Sequence, residues 1–252
     1  ERKEWKKKMI TYQKEREECT DKKRRKELDT LIKRAYNNQQ VRKIALNSAY
    51  GALANQYFAF FSIDLAEAIT TSGQLIIQWS ERTINDFMNK TLGTEDEDFV
   101  IAMDTDSVYI TMDKLVQKVL PEETDKGKII DFLNKSEGMF EKVLADGFDD
   151  LAEYTNAFQQ KMQMGREVIA DRGIWTAKKR YILNVWDSEG VRYEEPKLKM
   201  MGIEAVKSST PAPCREMIKN ALKIMMNGTE EEVINFIDKS RKEFKKLPPE
   251  DI

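Results

Sequence analysis

Asp104 and Asp106 are the residues of this 252-residue chain whose type and spacing speak most directly of chemistry. They lie two positions apart between the apolar runs 99–103 and 108–110, a strand–turn–strand pattern in which side chains at i and i+2 share a face. Two carboxylates so placed can hold a hard divalent cation, magnesium or manganese, which takes oxygen ligands and keeps water and phosphate groups around it. The same Asp-x-Asp spacing also makes an Asx turn in an ordinary hairpin.

A second group of residues lies upstream. Lys43 and Asn47 are spaced i, i+4 on a helical stretch, with Tyr50 one turn further and Gly51 after it, so a cation, an amide and an aromatic ring share one face. Arg2 and Lys6 repeat the spacing on an earlier helix. If the two helices are antiparallel, three positive charges and an amide become available to a triphosphate. A basic helical pair is also an ordinary solvated surface. Asn47-Ser48 in mid-helix argues against that plainer reading, because both residues are poor helix formers with no local reason to be there.

Composition narrows the chemistry. The chain has no histidine and two distant cysteines, Cys19 and Cys214, so zinc sites, histidine-based acid–base catalysis and a disulfide framework are not expected. No apolar run is long enough to span a membrane, and the charged start does not resemble a signal peptide, which implies a soluble cytoplasmic protein. A net charge of −2 is low for a nucleic-acid binder. The charge is uneven, however: residues 2–26 are rich in lysine and arginine, Lys178-Lys179-Arg180 forms another basic group, and acids gather at 95–98 and 230–232.

The elements that must position these residues are legible from periodicity. Residues 1–34 read as charged helices with a narrow apolar stripe, breaking near Cys19-Thr20-Asp21, the second helix running on to about Gly51. Ser62 or Asp64 caps a third helix, whose Leu65, Ala68, Ile69, Leu75, Ile76 and Trp79 mark it as buried core. A hairpin carries Asp104 and Asp106. Helix is expected over about 125–158, then strands over 161–170, 175–186 and 191–199, the last two joined by a turn at 187–190, and helices again after Pro211-Ala212-Pro213. This is an α+β chain: a helical pair, an antiparallel sheet with packed helices, and a short helical end.

Three motifs in order carry a resemblance. Lys43-Ile44-Ala45-Leu46-Asn47-Ser48-Ala49-Tyr50-Gly51 resembles the second polymerase motif of family B DNA polymerases, Asp104-Thr105-Asp106-Ser107 their third, and Lys178-Lys179-Arg180-Tyr181 their downstream KKRY segment. Arg2-Lys3-Glu4-Trp5-Lys6, Ile69-Thr70-Thr71-Ser72-Gly73-Gln74, Asn184-Val185-Trp186-Asp187 and Pro196-Lys197-Leu198-Lys199-Met200-Met201-Gly202 are similar to segments of the T4-like bacteriophage members. The resemblance implies fingers over 1–60, the C-terminal half of a palm over 61–207 and the start of a thumb over 208–252. It implies that Arg2, Lys6, Lys43 and Asn47 bind a deoxynucleoside triphosphate, with Lys43 giving a proton to the pyrophosphate leaving group. Tyr50 and Gly51 would lie against the nascent base pair, Asp104 and Asp106 would hold two magnesium ions (or manganese), and Glu167 would be an additional palm carboxylate. Lys178, Lys179, Arg180 and Tyr181 would contact primer DNA. Read as a continuous strand, that segment puts Lys179 and Tyr181 on one face and Lys178 and Arg180 on the other, which favours Lys179 as the primer contact.

The pattern also departs from the family: Ala102-Met103 stand where tyrosine and glycine usually precede the aspartates, and Gly165 where an aspartate is expected. The first polymerase motif, with its own aspartate, is absent. The resemblance therefore implies a DNA polymerase fragment, inactive or nearly so alone, whose partners are primer–template DNA, deoxynucleotides, an upstream segment bearing the first motif and an exonuclease, and a sliding clamp reached through a C-terminus this chain lacks. The setting is the cytoplasm of a bacterial host, away from membranes. Two other readings remain. A non-catalytic nucleic-acid-binding or assembly module is one; the other, a glycosyltransferase with a metal-binding DxD pair, leaves Lys43, Asn47, Tyr50 and the KKRY segment unexplained.

Overall fold

A computed structural model describes residues 1–246 and Pro248; the end of the expected thumb segment, residues 247 and 249–252, lies outside the described residues. The chain forms two compact units. Unit 1 comprises Glu1–Glu167 and Glu189–Arg192, and unit 2 comprises Val168–Ser188 with the described residues from Tyr193 on. The described residues hold seven α-helices and two antiparallel sheets, the α+β mixture expected.

Unit 1 begins with α1 (Arg2–Glu18) and α2 (Lys22–Leu53), separated at Cys19-Thr20-Asp21 as the sequence predicts. Asp21 caps α2 by accepting from the Lys23 amide at 3.0 Å. The two helices run antiparallel. Arg24 pairs with Glu15 at 2.7 Å, Arg16 with Asp29 at 2.5 Å, and Arg42 with Glu1 at 3.0 Å. These exposed pairs are weak in water and agree with the antiparallel register rather than set it. Apolar burial is sparse, with Leu28, Ala35 and Gln39 the buried residues of α2. The helix passes through Gly51 and ends at Leu53, two residues beyond the expected stop.

The core of unit 1 lies where α3 (Ile63–Leu92) meets the hairpin β1 (Val100–Asp104) and β2 (Ser107–Ile110) and the helices α4 (Asp113–Val119) and α5 (Lys126–Tyr154). Ile84 and Met88 of α3 pack with Phe99, Val100, Leu115, Leu144 and Phe148. Full burial of side chains of this size stabilises by roughly 1.5–3 kcal/mol each. Helices α3 and α5 approach closely at Gly147, where a Cβ would lie 2.8 Å from the Thr83 side chain. Asn85 and Asn89 of α3 anchor the strand's entry. The Asn85 Oδ1 accepts from the Phe99 amide at 2.9 Å and its Nδ2 donates to Asp98, while Asn89 donates to the Glu97 carbonyl and accepts from the Glu97 amide.

The third helix departs from expectation. Ser62 caps it, yet the predicted face is only partly core. In its N-terminal part Ala66 is buried, but Ala68 is exposed, Leu65 is 56% exposed, Ile69 49% and Leu75 37%; the main core of the unit is joined from Ile76 on, and Trp79 lies against Tyr154. Helical periodicity reports that one face is apolar; it does not report what covers it. In unit 1 the hairpin and α5 reach the C-terminal part of α3 alone.

Unit 2 is built on a sheet in the order β3–β4–β5 (Val168–Ala177, Arg180–Ser188, Val191–Met201, the last from Tyr193 on) with α6 (Ala212–Asn227) and α7 (Glu230–Phe244). Its core combines Ile182 of β4, Ile203 and Ala205 beside a short 3-10 turn (Glu204–Val206), and Leu222 and Met226 of α6. Thr229 and Glu232 form a reciprocal capping box at α7. Two strand boundaries differ from the sequence reading. The run 161–166 is not strand, and Trp175 to Ala177 close β3 rather than open β4, because the chain turns at Lys178-Lys179 with Lys179 at φ 61°. Two-residue hairpin loops are usually announced by Asn-Gly or Asp-Gly; Lys-Lys carries no such signal. The β4–β5 turn offers at least a glycine, and it is tighter than expected: Glu189 and Gly190 have φ 52° and 79°, while Asp187 remains in the strand and is buried.

Candidate active site

Asp104 ends β1 and Ser107 opens β2, directly opposite in register, so Thr105 and Asp106 form a two-residue turn with Thr105 at φ 57°. The apex is tightly wound: the Asp106 amide donates to the Asp104 carbonyl at 2.6 Å, the Thr105 hydroxyl to the Asp104 carboxylate at 2.9 Å, and the Ser107 hydroxyl to the Asp104 carbonyl at 3.1 Å. Asp104 is half-buried and Asp106 exposed. The simple alternation expected of an extended strand therefore does not describe the pair, since a left-handed residue stands between them. Among the described residues no three carboxylate or thiol groups gather as a metal cage, so Glu167 does not join the two aspartates in one ligand set. The donors at the apex are oxygen only, which suits a hard cation completing its shell from outside the chain.

The antiparallel packing of α1 on α2 brings Arg2 and Lys6 into the same helical pair as Lys43. The Glu1–Arg42 ion pair sets the start of α1 beside residue 42, and α2 continues past it with Lys43, Asn47 and Tyr50 exposed. Arg42 also donates to the Asn38 carbonyl at 3.0 Å, and its hydrogen bond and charge hold the Glu1 carboxyl below the usual range. Sequence reasoning passed over Arg42; its i, i+4 relation to Asn38 was the available signal. Arg2 has a buried Nε with no acceptor among the described residues. Lys6 is paired with Glu189 at 2.5 Å. A Cβ on Gly51 would meet nothing within 4 Å among the described residues, so no packing among them calls for a glycine there.

In unit 2, Lys178 and Lys179 are the exposed hairpin tip, whereas Arg180 opens β4 and Tyr181 is buried, stacked at 6.4 Å on Trp175, its cross-strand partner. The alternation that favoured Lys179 over Lys178 lapses, because both lie in the turn. The Arg180 guanidinium donates to both carboxylate oxygens of Glu204, at 2.7 and 2.6 Å.

A model of DNA polymerase family B matches residues 2–121, a range that contains Arg2, Lys6, Lys43, Asn47, Tyr50, Gly51, Asp104 and Asp106. The DNA-directed DNA polymerase of Escherichia phage RB69 is 44% identical over 199 residues, covering 75% of this chain and 22% of that protein. The DNA-directed DNA polymerase of Enterobacteria phage T4 is 40% identical over 223 residues, covering 84% of this chain and 25% of that protein. Both relatives are polymerases, and the class is thereby fixed. The chain belongs to the family B DNA polymerases, in their T4-like bacteriophage branch. It spans about a quarter of the length of these curated relatives.

Proposed function

We propose that this chain supplies the fingers (1–60), the C-terminal half of the palm (61–207) and the start of the thumb (208–252) of a DNA-directed DNA polymerase that works in the cytoplasm of an infected bacterium. The observation that carries the reading is the presence in one compact unit of an oxygen-only aspartate turn and a helical pair bearing Arg2, Lys6, Lys43 and Asn47. That combination suits nucleotidyl transfer: a primer 3′-hydroxyl attacks the α-phosphorus of a deoxynucleoside triphosphate and pyrophosphate leaves.

In this reading Asp104 and Asp106 hold magnesium, with manganese as a substitute. Two such ions, when bound, activate the hydroxyl and offset charge on the phosphates. Arg2, Lys6, Lys43 and Asn47 bind the triphosphate. The orphaned Arg2 Nε fits an anionic acceptor, and Lys6 exchanges Glu189 for phosphate oxygen. Lys43 protonates the departing pyrophosphate, Tyr50 and Gly51 face the new base pair, Glu167 stands as an accessory carboxylate, and the 178–181 segment tracks the primer.

An upstream polypeptide bearing the first-motif aspartate and an exonuclease completes the enzyme, and a sliding clamp is a further partner. Exposed apolar residues support the first of these. Val100, Val108 and Ile110 pack the β1–β2 sheet onto the unit 1 core, whereas Ile101 and Met103 of β1 are exposed, as are Tyr57, Phe60, Ile63, Leu65 and Ile69.

Primer extension with magnesium and deoxynucleotides tests the reading. The chain mixed with an upstream polypeptide carrying the first motif is expected to synthesise DNA, and Asp104→Asn to reduce synthesis by roughly a hundredfold or more. Robust synthesis by the chain alone, or survival of activity in Asp104→Asn, overturns it.

A further inference from the structure

The tip of the β3–β4 hairpin is held from below by a segment that neither the motifs nor the proposed chemistry includes. Lys179 adopts a left-handed conformation at φ 61°. Opposite it, Gly202 is left-handed too, at φ 65°, and a Cβ there would lie 2.3 Å from the Lys179 carbonyl oxygen, 3.3 Å from its carbonyl carbon and 3.1 Å from the Arg180 Cγ. The obstruction is backbone, so no rotamer change relieves it; any side chain at 202 displaces the turn itself. Two residues on, Glu204 receives both hydrogen bonds of the Arg180 guanidinium. Lys207 donates to the same carboxylate at 3.0 Å, and the Lys207 and Arg180 hydrogen bonds bring the Glu204 carboxyl down to about 2, so it stays ionised as an anchor. Between these contacts Ile203 is buried, and Ala205 follows it into the same core as Ile182, Leu222 and Met226. The segment is thus pinned to the unit 2 core on one side and to the hairpin on the other.

We propose that Gly202 and Glu204 are positioning residues, the seat that fixes the Lys178-Lys179 turn so that its ammonium groups meet a nucleic-acid phosphate backbone. The proposal rests on the reading of residues 178–181 as a DNA contact. Two lysines on a flexible tip would attract phosphates from many positions; seated on a backbone-to-backbone contact, they address one place.

The test is binding of the full chain to a fluorescent primer–template duplex, followed by anisotropy over a range of salt concentrations. A doubly substituted Lys178→Ala/Lys179→Ala chain calibrates the contact. Its affinity should fall roughly three- to tenfold and its salt slope by about one to two. Gly202→Ala, with both lysines intact, should reproduce that loss and add nothing when combined with the double substitution. Glu204→Gln guards against a folding defect in Gly202→Ala. It removes one negative charge, so general electrostatics alone predicts tighter binding, whereas loss of the seat predicts weaker binding. If the lysine substitutions leave binding unchanged, the DNA contact itself is refuted. If they weaken binding while Gly202→Ala and Glu204→Gln bind as tightly as the original chain or tighter, the contact stands and the seat is refuted.

Discussion

Gly51→Ala should make the chain more stable and the polymerase worse. Gly51 is inside α2, three residues before its Ala54 cap, and a Cβ built there meets nothing within 4 Å. Glycine in a helix interior is less favourable than alanine by about 0.5–1 kcal/mol, since it must surrender more backbone freedom on folding. So close to the helix end the lower figure applies, and about 0.5 kcal/mol corresponds to a rise of about 1–2 °C in the melting temperature of a unit this size. No contact among the described residues offsets that penalty, which leaves a contact outside them as the reason for glycine. If that is the nascent base pair, the added methyl group obstructs it, and kcat/KM for DNA synthesis with the upstream polypeptide should fall roughly tenfold or more. Thermal melting of the chain and primer extension by the complemented enzyme read the two effects separately. A higher melting temperature with unchanged synthesis would show that Gly51 does not face DNA; a lower melting temperature would refute the helical argument itself.

Other substitutions probe the frame that holds the aspartates. Asn85→Ala leaves the buried Phe99 amide without its acceptor and should destabilise unit 1 by about 1–3 kcal/mol in urea denaturation. Gly147→Ala drives a methyl group against Thr83, and a similar loss of about 1–3 kcal/mol is expected, relieved in part by Thr83→Ala, as a double-mutant cycle would reveal. Glu204 has its folded-state pKa lowered from 4.5 to about 2, by hydrogen bonds from Lys207 and Arg180. Its stabilisation is therefore complete above the unfolded value and is lost as pH falls from about 4.5 toward 2. Glu204→Gln should flatten that part of the stability–pH curve, measured by the urea midpoint, and leave it unchanged near neutrality in slope.

What the sequence made legible follows from which signals are local. The break at Cys19-Thr20-Asp21, the Ser62 cap and the hairpin around Asp104 are each written in a few adjacent residues, and the structure has them there. The Lys178-Lys179 turn is not, because its left-handed residue is a lysine and its support lies at Gly202, more than twenty positions away. The anchoring by Asn85 and Asn89 was likewise hidden, since mid-helix asparagines gain their meaning only when the loop before β1 folds back onto them. Motif order could be read directly, but side-chain direction within the motifs could not: a left-handed residue at Thr105 and another at Lys179 each undo the alternation a continuous strand would impose.

The N-terminal part of α3 presses the same point further. Leu65, Ile69 and Leu75 obey helical spacing as faithfully as Ile84 and Met88, yet the first three are exposed and the last two are fully buried. Intrinsic propensity does not separate them, because both stretches form one uninterrupted helix. What separates them is packing: Ile84 and Met88 join the cluster formed with the hairpin and α5, and Leu65, Ile69 and Leu75 do not. A polypeptide that covers the first group should therefore protect Leu65 and Ile69 amides from hydrogen exchange on binding while leaving Ile84 and Met88, already buried, unchanged. Uniform protection along α3 before any partner is added would contradict this account of the exposed face.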